Sequence, residues 1–197
     1  GEGRTPAEVG QNVKFGLPGH HKLTNALLAG AMAKFYGVSN EKIIAALASF
    51  KGVRRRFSFQ IREEKLVYID DYAHHPTEIN AVHQAVRELY PGKKIIAAFQ
   101  PHLFSRTKDF VDGFAESLSK FDEILLMEIY PARELPMEGV NSTWLLNKID
   151  NINKKLVSKD ELFTAFENSD ADVFITIGAG YIGELVKDIK KALHEKN

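Results

Sequence analysis

Four polar segments of the sequence carry side chains that could bind and orient a charged small molecule. They are DDYAHHPTE at 70–78, QPHLFSRT at 100–107, YPARE at 130–134 and GAG at 178–180. Their ionisable residues of interest are Asp70, Asp71, His74, His75, His102, Arg106 and Arg133. If the segments meet in space, they supply cations for a carboxylate or a phosphate and carboxylates for an amine or a metal.

The elements around these segments predict that they do meet. Beyond Gly52, strand-like runs SFQI and LVYI precede a series of short apolar runs, each of which leads into an amphipathic helix. The predicted pairs are LVYI with 76–90, KIIAAF with 105–121, EILLMEI with 142–149, KLV with 158–168 and DVFITI with 181–194. Nearly uninterrupted apolar runs are typical of parallel strands covered on both faces. The pattern predicts a doubly wound, mainly parallel α/β sheet with a ligand crevice at its strand ends.

Two helices are predicted ahead of the sheet. The stretch 24–36 has helical spacing and ends at Gly37, and Ser39 begins a second apolar helix that runs through Phe50. The short basic run Arg54, Arg55 and Arg56 follows at the junction with the sheet. Such runs are typical of a solvated face or of a phosphate contact. We therefore expect a helical hairpin joined to the α/β region by a basic segment.

Composition excludes several classes of protein. The 197 residues contain 26 basic and 26 acidic side chains, which gives no electrostatic footprint for nucleic acid. Cysteine is absent, which excludes disulfides, thiolate zinc sites and a catalytic thiol, and fits a reducing compartment. No apolar run approaches the roughly 18 residues that span a bilayer. We expect a cytoplasmic protein that binds neither nucleic acid nor membrane.

The glycine-rich sequence GAGYIG at 178–183 matches the pattern of dinucleotide-binding folds and lies between a strand and a helix. That fingerprint belongs to a βαβ unit with an acidic residue about 20 positions further on, and the chain ends at Asn197 without a strand to carry one. We predict that these glycines allow close packing on the last strand.

The adjacent His74 and His75 raise a question of orientation. Neighbouring side chains of an extended segment point in opposite directions, so at most one ring faces a given site. The other is expected to pack beneath the loop. The sequence leaves open which ring has which role.

Two alternative functions use the same residues. Asp70 and Asp71, together with the histidines, could hold two cations and activate water, as in a metal-dependent phosphoesterase. The strand-end loops could instead bind a nucleotide without turnover, as a noncatalytic nucleotide-binding module. The first alternative predicts tightly bound metal, and the second predicts affinity for nucleotide.

Three long motifs, in order along the chain, closely resemble the Mur ligases, and in particular their alanine-adding members. The motifs are IDDYAHHPTEI at 69–79, FQPHLFSRT at 99–107 and EIYPARELP at 128–136. PGHHKLTNALLAG at 18–30 and GVRRRF at 52–57 resemble the end of the family's central domain and its hinge. The resemblance implies that 1–52 is a helical remnant of the central ATP-binding domain. It also implies that 53–197 is the Rossmann-like carboxy-terminal domain, which brings the amino acid and closes over ATP.

The resemblance further implies a reaction and its residues. Such ligases use ATP and Mg²⁺ to phosphorylate the carboxylate of UDP-N-acetylmuramate, and the amine of L-alanine attacks the acyl phosphate. No covalent enzyme intermediate is needed, so catalysis depends on positioning and charge. The implied L-alanine site consists of Tyr72, His74, His102 and Arg106, of which His74, His102 and Arg106 are the candidate catalytic residues. The implied ATP contacts are His21, Asn25, Arg56 and Asp71.

The chain also departs from the family pattern. Lys22 stands where many members have Asn, and Leu103 where many have Arg. The family's glycine-rich phosphate loop and its magnesium carboxylate are absent from the 197 residues. We therefore expect no metal ligand within this chain, no ligase activity from it alone, and an exposed apolar face on the hairpin.

Overall fold

The computed structural model describes the backbone of residues 20–195 and the side chains of residues 23–195. The chain divides into two compact units, Gly1–Val53 and Arg54–Asn197.

The first unit contains a helical hairpin. Helix α1 spans His20–Phe35 and helix α2 spans Asn40–Ser49. Gly30 allows the two helices to approach, because a Cβ at this position would lie 3.3 Å from Ile43 Cγ2. Several large apolar side chains of this unit are exposed, most strongly Leu28, Met32, Phe35 and Tyr36. The predicted hairpin is present, although α1 begins four residues before the predicted Thr24 and α2 ends one residue before Phe50.

The second unit is built on a six-stranded sheet. Its strands are β1 Ser58–Arg62, β2 Val67–Asp71, β3 Ile95–Phe99, β4 Glu123–Leu126, β5 Lys154–Leu156 and β6 Val173–Ile177. The strand order is β1-β2-β6-β3-β4-β5. Pairing is parallel except for β1, which runs antiparallel to β2 at one edge. Every residue of β2, β3 and β6 is buried, as expected for central strands covered on both faces.

Helices cover both faces of the sheet. They are α3 Pro76–Leu89, α4 Phe104–Asp109, α5 Val111–Leu118, α6 Ser142–Lys148, α7 Lys159–Asn168 and α8 Val186–Glu195. Helices α3, α5 and α6 form one apolar core with the sheet. Helices α7 and α8 form a second core on the opposite face. The predicted doubly wound, mainly parallel α/β fold is confirmed.

Two predicted helices are interrupted. The stretch 105–121 forms α4 and α5, which meet at Phe110, where the backbone leaves helical geometry at φ −117° and ψ 19°. Gly113 then brings α5 against α3, because a Cβ there would lie 3.1 Å from Pro76 Cγ. The stretch 181–194 begins as a single 3₁₀ turn, Tyr181–Glu184, before α8. Both interruptions lie beside the strand-end edge, where local contacts override helical periodicity.

Among the described residues, no helix combines the length and the hydropathy that crossing a membrane requires.

Candidate functional site

The carboxyl ends of β2, β6, β3 and β4 lie side by side, because these four strands are parallel neighbours. An isolated parallel bridge between His102 and Tyr130 continues the pairing past β3 and β4. Non-glycine residues with positive φ occur in the segments at this edge: Arg55, Phe57, Leu103 and Ala132. Unusual backbone geometry of this kind clusters at binding sites. The edge is therefore the candidate site.

One half of this edge, here called the open side, consists of Tyr72, His74, His102, Arg106 and Tyr130. The rings of Tyr72, His74, His102 and Tyr130 form a row that is partly open to solvent. The centroids of Tyr72 and His74 are 5.4 Å apart, those of His74 and His102 are 6.5 Å apart, and those of His102 and Tyr130 are 5.6 Å apart. The open side thus contains all four residues that the sequence predicts for the amino-acid site.

The contact between His102 and Arg106 defines the state of the imidazole. Arg106 Nη1 lies 3.3 Å from His102 Nδ1, and a guanidinium can only donate, so Nδ1 accepts and the neutral ring carries its proton on Nε2. Burial lowers the pKa of His102, and the charges of Arg106 and His74 lower it further, against an opposing effect of Glu134. The ring is thus held neutral near pH 7. Within the described part of the chain, Arg106 forms no ion pair with a carboxylate.

The loop after β4 is tied to the start of α4, the helix that carries Arg106. The Glu134 carboxylate accepts hydrogen bonds from the Ser105 backbone N–H at 2.9 Å and from the Ser105 hydroxyl. These hydrogen bonds lower the pKa of Glu134. Leu103, at φ 73°, donates its N–H to the Tyr130 carbonyl at 2.9 Å. Arg133 is exposed and makes no hydrogen bond or ion pair to any described residue, so it does not join the open side.

Glu78 connects Arg56 to the open side. Its carboxylate accepts a hydrogen bond from the His74 N–H at 2.9 Å and lies 3.4 Å from Arg56 Nη1. Burial acts to raise the pKa of Glu78, but the hydrogen bond and charge of His74 and the charge of Arg56 outweigh it, and the net pKa is lowered. Glu78 is therefore ionised and holds Arg56 beside His74, while 49% of the Arg56 side chain remains exposed.

The two adjacent histidines point in different directions, as predicted. His75 caps helix α3 by accepting a hydrogen bond from the Thr77 N–H at 3.3 Å, and its ring packs edge-on against Phe110 at 4.6 Å. His74 instead turns to Tyr72 and His102. His74 is therefore the ring on the open side.

The other half of the edge, here called the closed side, consists of Arg55, Asp70, Asp71, Thr176 and Gly178. Arg55 Nε donates to Asp70 Oδ2 at 3.1 Å, and Arg55 Nη2 donates to the Gly178 carbonyl at 2.6 Å. The Thr176 hydroxyl donates to the other Asp70 oxygen at 3.0 Å. Burial raises the pKa of Asp70, and Arg55 and Thr176 oppose that rise. Asp71 accepts hydrogen bonds from the N–H groups of Phe57 at 2.6 Å and Ala73 at 2.7 Å.

These contacts bear on metal binding. Asp70 and Asp71 are 1% and 6% exposed and already hold protein donors. Within the described residues, no group of three or more histidine and carboxylate side chains is arranged to hold a metal ion. The metal-dependent phosphoesterase is not supported.

Comparison with known proteins identifies the family. The family model described as "Mur ligase, glutamate ligase domain" matches residues 55–180. The chain belongs to the Mur ligase family. The UDP-N-acetylmuramate--L-alanine ligase of Flavobacterium psychrophilum is 69% identical over 193 residues, which are 98% of this chain and 43% of that relative. The chain thus spans less than half the length of the curated relatives that it matches. Similarity to ligases gives no support to a noncatalytic module.

Solved structures agree with this Mur ligase assignment. The UDP-N-acetylmuramate-alanine ligase of Thermotoga maritima superposes with a TM-score of 0.75 at 26% identity, over 94% of this chain and 40% of that one. A murein peptide ligase from Psychrobacter arcticus superposes with a TM-score of 0.65 at 24% identity, over 92% of this chain and 38% of that one. The second likeness concerns the fold alone.

The glycine motif of this Mur ligase chain has a packing explanation. Gly178 has φ +145°, and a Cβ there would lie 2.8 Å from the Gln100 carbonyl oxygen. A Cβ at Gly180 would lie 2.7 Å from both Gln100 Oε1 and Tyr130 Cβ, and a Cβ at Gly183 would overlap the Arg55 guanidinium. The prediction that these glycines serve close packing is consistent with each position.

Sequence reasoning treated several residues of this Mur ligase site only as members of longer segments. The basic run that contains Arg55 predicts a solvated face or a phosphate contact, and Thr176 is predicted only as part of a strand covered on both faces. The usable signal for Thr176 was a polar residue in an otherwise apolar strand. Of the predicted ATP contacts on the first unit, Asn25 is exposed on α1, and the His21 side chain lies outside the described residues, as does that of Lys22.

Proposed function

We propose that this chain supplies the amino-acid site of a ligase that joins L-alanine to UDP-N-acetylmuramate with ATP. The observation that carries the proposal is Arg106, which is partly exposed beside the neutral His102 and forms no ion pair with a described carboxylate. A guanidinium in that situation binds an incoming carboxylate through charge-assisted hydrogen bonds. The names and identities of the relatives support alanine as the amino acid.

The open side suits an amino acid with a small side chain. Aromatic and imidazole rings stand at Tyr72, His74, His102 and Tyr130, with neighbouring centroids 5.4–6.5 Å apart. Arg106 would orient the carboxylate of L-alanine, and the neutral ring of His102 places no competing cation beside its amine. Attack of that amine on an acyl phosphate needs orientation and charge stabilisation rather than a protein nucleophile.

The residues proposed for ATP fit in part. Arg56 keeps about half of its side chain exposed, which suits a phosphate contact near the hinge. Both Asp71 oxygens already accept a backbone N–H, so a ribose hydroxyl would use the remaining lone pairs. No described cluster holds a metal, so Mg²⁺ would depend on ATP and on residues outside the described part of the chain.

The proposal is tested by phosphate release from ATP in the presence of Mg²⁺, UDP-N-acetylmuramate and L-alanine. The assay compares the 197-residue chain with the product of the complete reading frame that encodes it. We expect release that depends on L-alanine only from the complete protein. Alanine-dependent turnover by the 197 residues alone would mean that the ATP site is misplaced. Absence of alanine dependence in the complete protein would refute the proposed reaction.

A further inference from the structure

The closed side contains a socket for one guanidinium, that of Arg55. Asp70 and the Gly178 carbonyl accept two of its N–H groups at 3.1 and 2.6 Å. Gly183 lies directly against the same group, since a Cβ there would overlap it. The Arg55 side chain is 26% exposed, and that of Asp70 is 1% exposed. One side chain thus joins the segment before β1, which carries Arg55, to β2 and to the glycine turn after β6.

The socket is linked directly to the open side through Tyr72. The Arg55 guanidinium carbon lies 5.1 Å from the centroid of the Tyr72 ring, within cation–π range. The Arg55 carbonyl also accepts the Tyr72 N–H at 2.7 Å. The guanidinium carbon of the next residue, Arg56, lies 6.0 Å from the same centroid, so the Tyr72 ring is beside two guanidinium groups. Arg55 itself has φ 58°, an uncommon backbone geometry that must be maintained by such contacts.

We propose that Arg55 is a positioning residue that fixes Tyr72 and Arg56 for the reaction, and that the glycine motif GAGYIG forms the socket for its guanidinium. The inference rests on the proposed function, because Tyr72 is assigned there to L-alanine and Arg56 to ATP. Arg55 acts through these two neighbours and contacts neither substrate. The motif that resembles a dinucleotide fingerprint therefore binds a side chain of its own chain.

A lysine cannot reproduce this arrangement. The guanidinium presents a planar fork of N–H groups that bonds Asp70 and Gly178 while its face meets Tyr72. A lysine ammonium keeps the charge opposite Asp70 but lacks the flat face and the fixed fork. Arg55→Lys therefore tests positioning while it retains the ion pair.

The first experiment measures steady-state kinetics of Arg55→Lys in the complete protein. We expect KM for L-alanine and KM for ATP to rise by about 10-fold, with kcat changed by less than about threefold, because ground-state placement is lost. Arg62→Lys is the matched control, since Arg62 also lies over an aromatic ring, Phe59, at 4.6 Å but on the edge strand β1. Wild-type KM values in Arg55→Lys would overturn the inference.

The second experiment separates positioning from charge neutralisation. The double variant Arg55→Gln with Asp70→Asn removes both charges, so no unpaired buried charge remains to destabilise the fold. We expect thermal stability to recover relative to Arg55→Gln alone, while both KM values stay raised. Recovery of KM together with stability would show that Arg55 is only an ion-pair partner. Gly183→Ala, which fills the socket, is expected to raise the same KM values.

A third measurement does not depend on activity. Amide hydrogen exchange at Tyr72 is compared between the wild-type 197-residue chain and its Arg55→Lys variant. We expect exchange to become at least about 10-fold faster, because the Arg55 backbone carbonyl that accepts the Tyr72 N–H is no longer fixed. Unchanged exchange would refute positioning by Arg55. If the wild-type ligase assay fails, the proposed function falls, and this exchange measurement still decides the role of Arg55.

Discussion

The open and closed sides of the strand-end edge use similar side chains in opposite ways. On the closed side, Arg55 is paired with Asp70, and Asp71 accepts two backbone N–H groups. On the open side, Arg106 lies beside the neutral His102 and forms no ion pair with a described carboxylate, although its charge helps to lower the pKa of Glu134. Residue type alone does not distinguish the two arginines.

The two sides differ in whether the guanidinium is paired with a carboxylate of the protein. A buried carboxylate and a guanidinium that neutralise each other hold backbone segments together but leave little binding capacity. A partly exposed guanidinium without a carboxylate gains free energy when a ligand supplies one. We therefore propose that the closed side holds backbone segments in place and that the open side binds the carboxylate of the amino acid.

The largest effect is expected from truncation of Arg106, the side chain proposed to bind the carboxylate of L-alanine. Arg106→Ala in the complete protein is expected to lower kcat/KM for L-alanine by about 100-fold, or about 3 kcal/mol, because the carboxylate loses a charge-assisted hydrogen-bond donor. Arg62→Ala, on the edge strand, is the control and should keep wild-type kcat/KM. An equal loss of kcat/KM in the two variants would mean that Arg106 acts no differently from an arginine on the edge strand.

A stability experiment sharpens the description of the closed side. Gly178→Ala adds a Cβ 2.8 Å from the Gln100 carbonyl oxygen at φ +145°, so we expect the free energy of unfolding to fall by about 2–3 kcal/mol. Gly92→Ala is the control, because φ is +74° there but no atom lies within 4 Å of the added Cβ. It should lose only about 1 kcal/mol. Denaturant titration followed by the fluorescence of the single tryptophan, Trp144, reports on this unit. Equal losses would mean that the close approach at Gly178 does not matter.

The smallest expected effect is a change in the titration of His102. Burial, Arg106 and His74 hold the pKa of this imidazole below its ordinary value of 6.5. The unfolded chain therefore binds more protons below that value, and the stability from the neutral ring is complete above pH 6.5 and falls as pH drops toward the lowered pKa. Arg106→Gln should raise the pKa of His102, as measured by NMR of the ring protons, while burial keeps it below 6.5. An unchanged pKa would show that Arg106 exerts no electrostatic effect on His102.

The sequence was sufficient to predict the sheet and the helices that cover it. Runs such as IIAAF and VFITI are almost entirely apolar, and their shortness is typical of a strand buried on both faces. The breaks at Phe110 and after Glu184 were not predicted, because local apolar periodicity continues through both. They arise from contacts with distant elements, such as the approach of Gly113 to Pro76.

The candidate site was predictable only to the level of segments. Strand-end position predicted that His74, His102 and Arg106 lie at one edge, since carboxyl ends of parallel strands share an edge. Tyr72 was assigned only through the resemblance to the Mur ligases. The separation of Arg55 from Arg56 depends on a partner more than 100 residues away, Gly178. The separation of His74 from His75 depends on ring contacts with His102 and Phe110. Sequence spacing contains no information about such contacts.

The most direct test of the account compares L-alanine with L-alaninamide, in which a neutral amide replaces the carboxylate. Phosphate release is measured for the complete wild-type protein and for Arg106→Ala with both amines. If the open side recognises the carboxylate through Arg106, the wild type prefers L-alanine by about 100-fold and the variant loses most of that preference. An equal preference in the two proteins would contradict the assignment of Arg106 and, with it, the division between the open and closed sides.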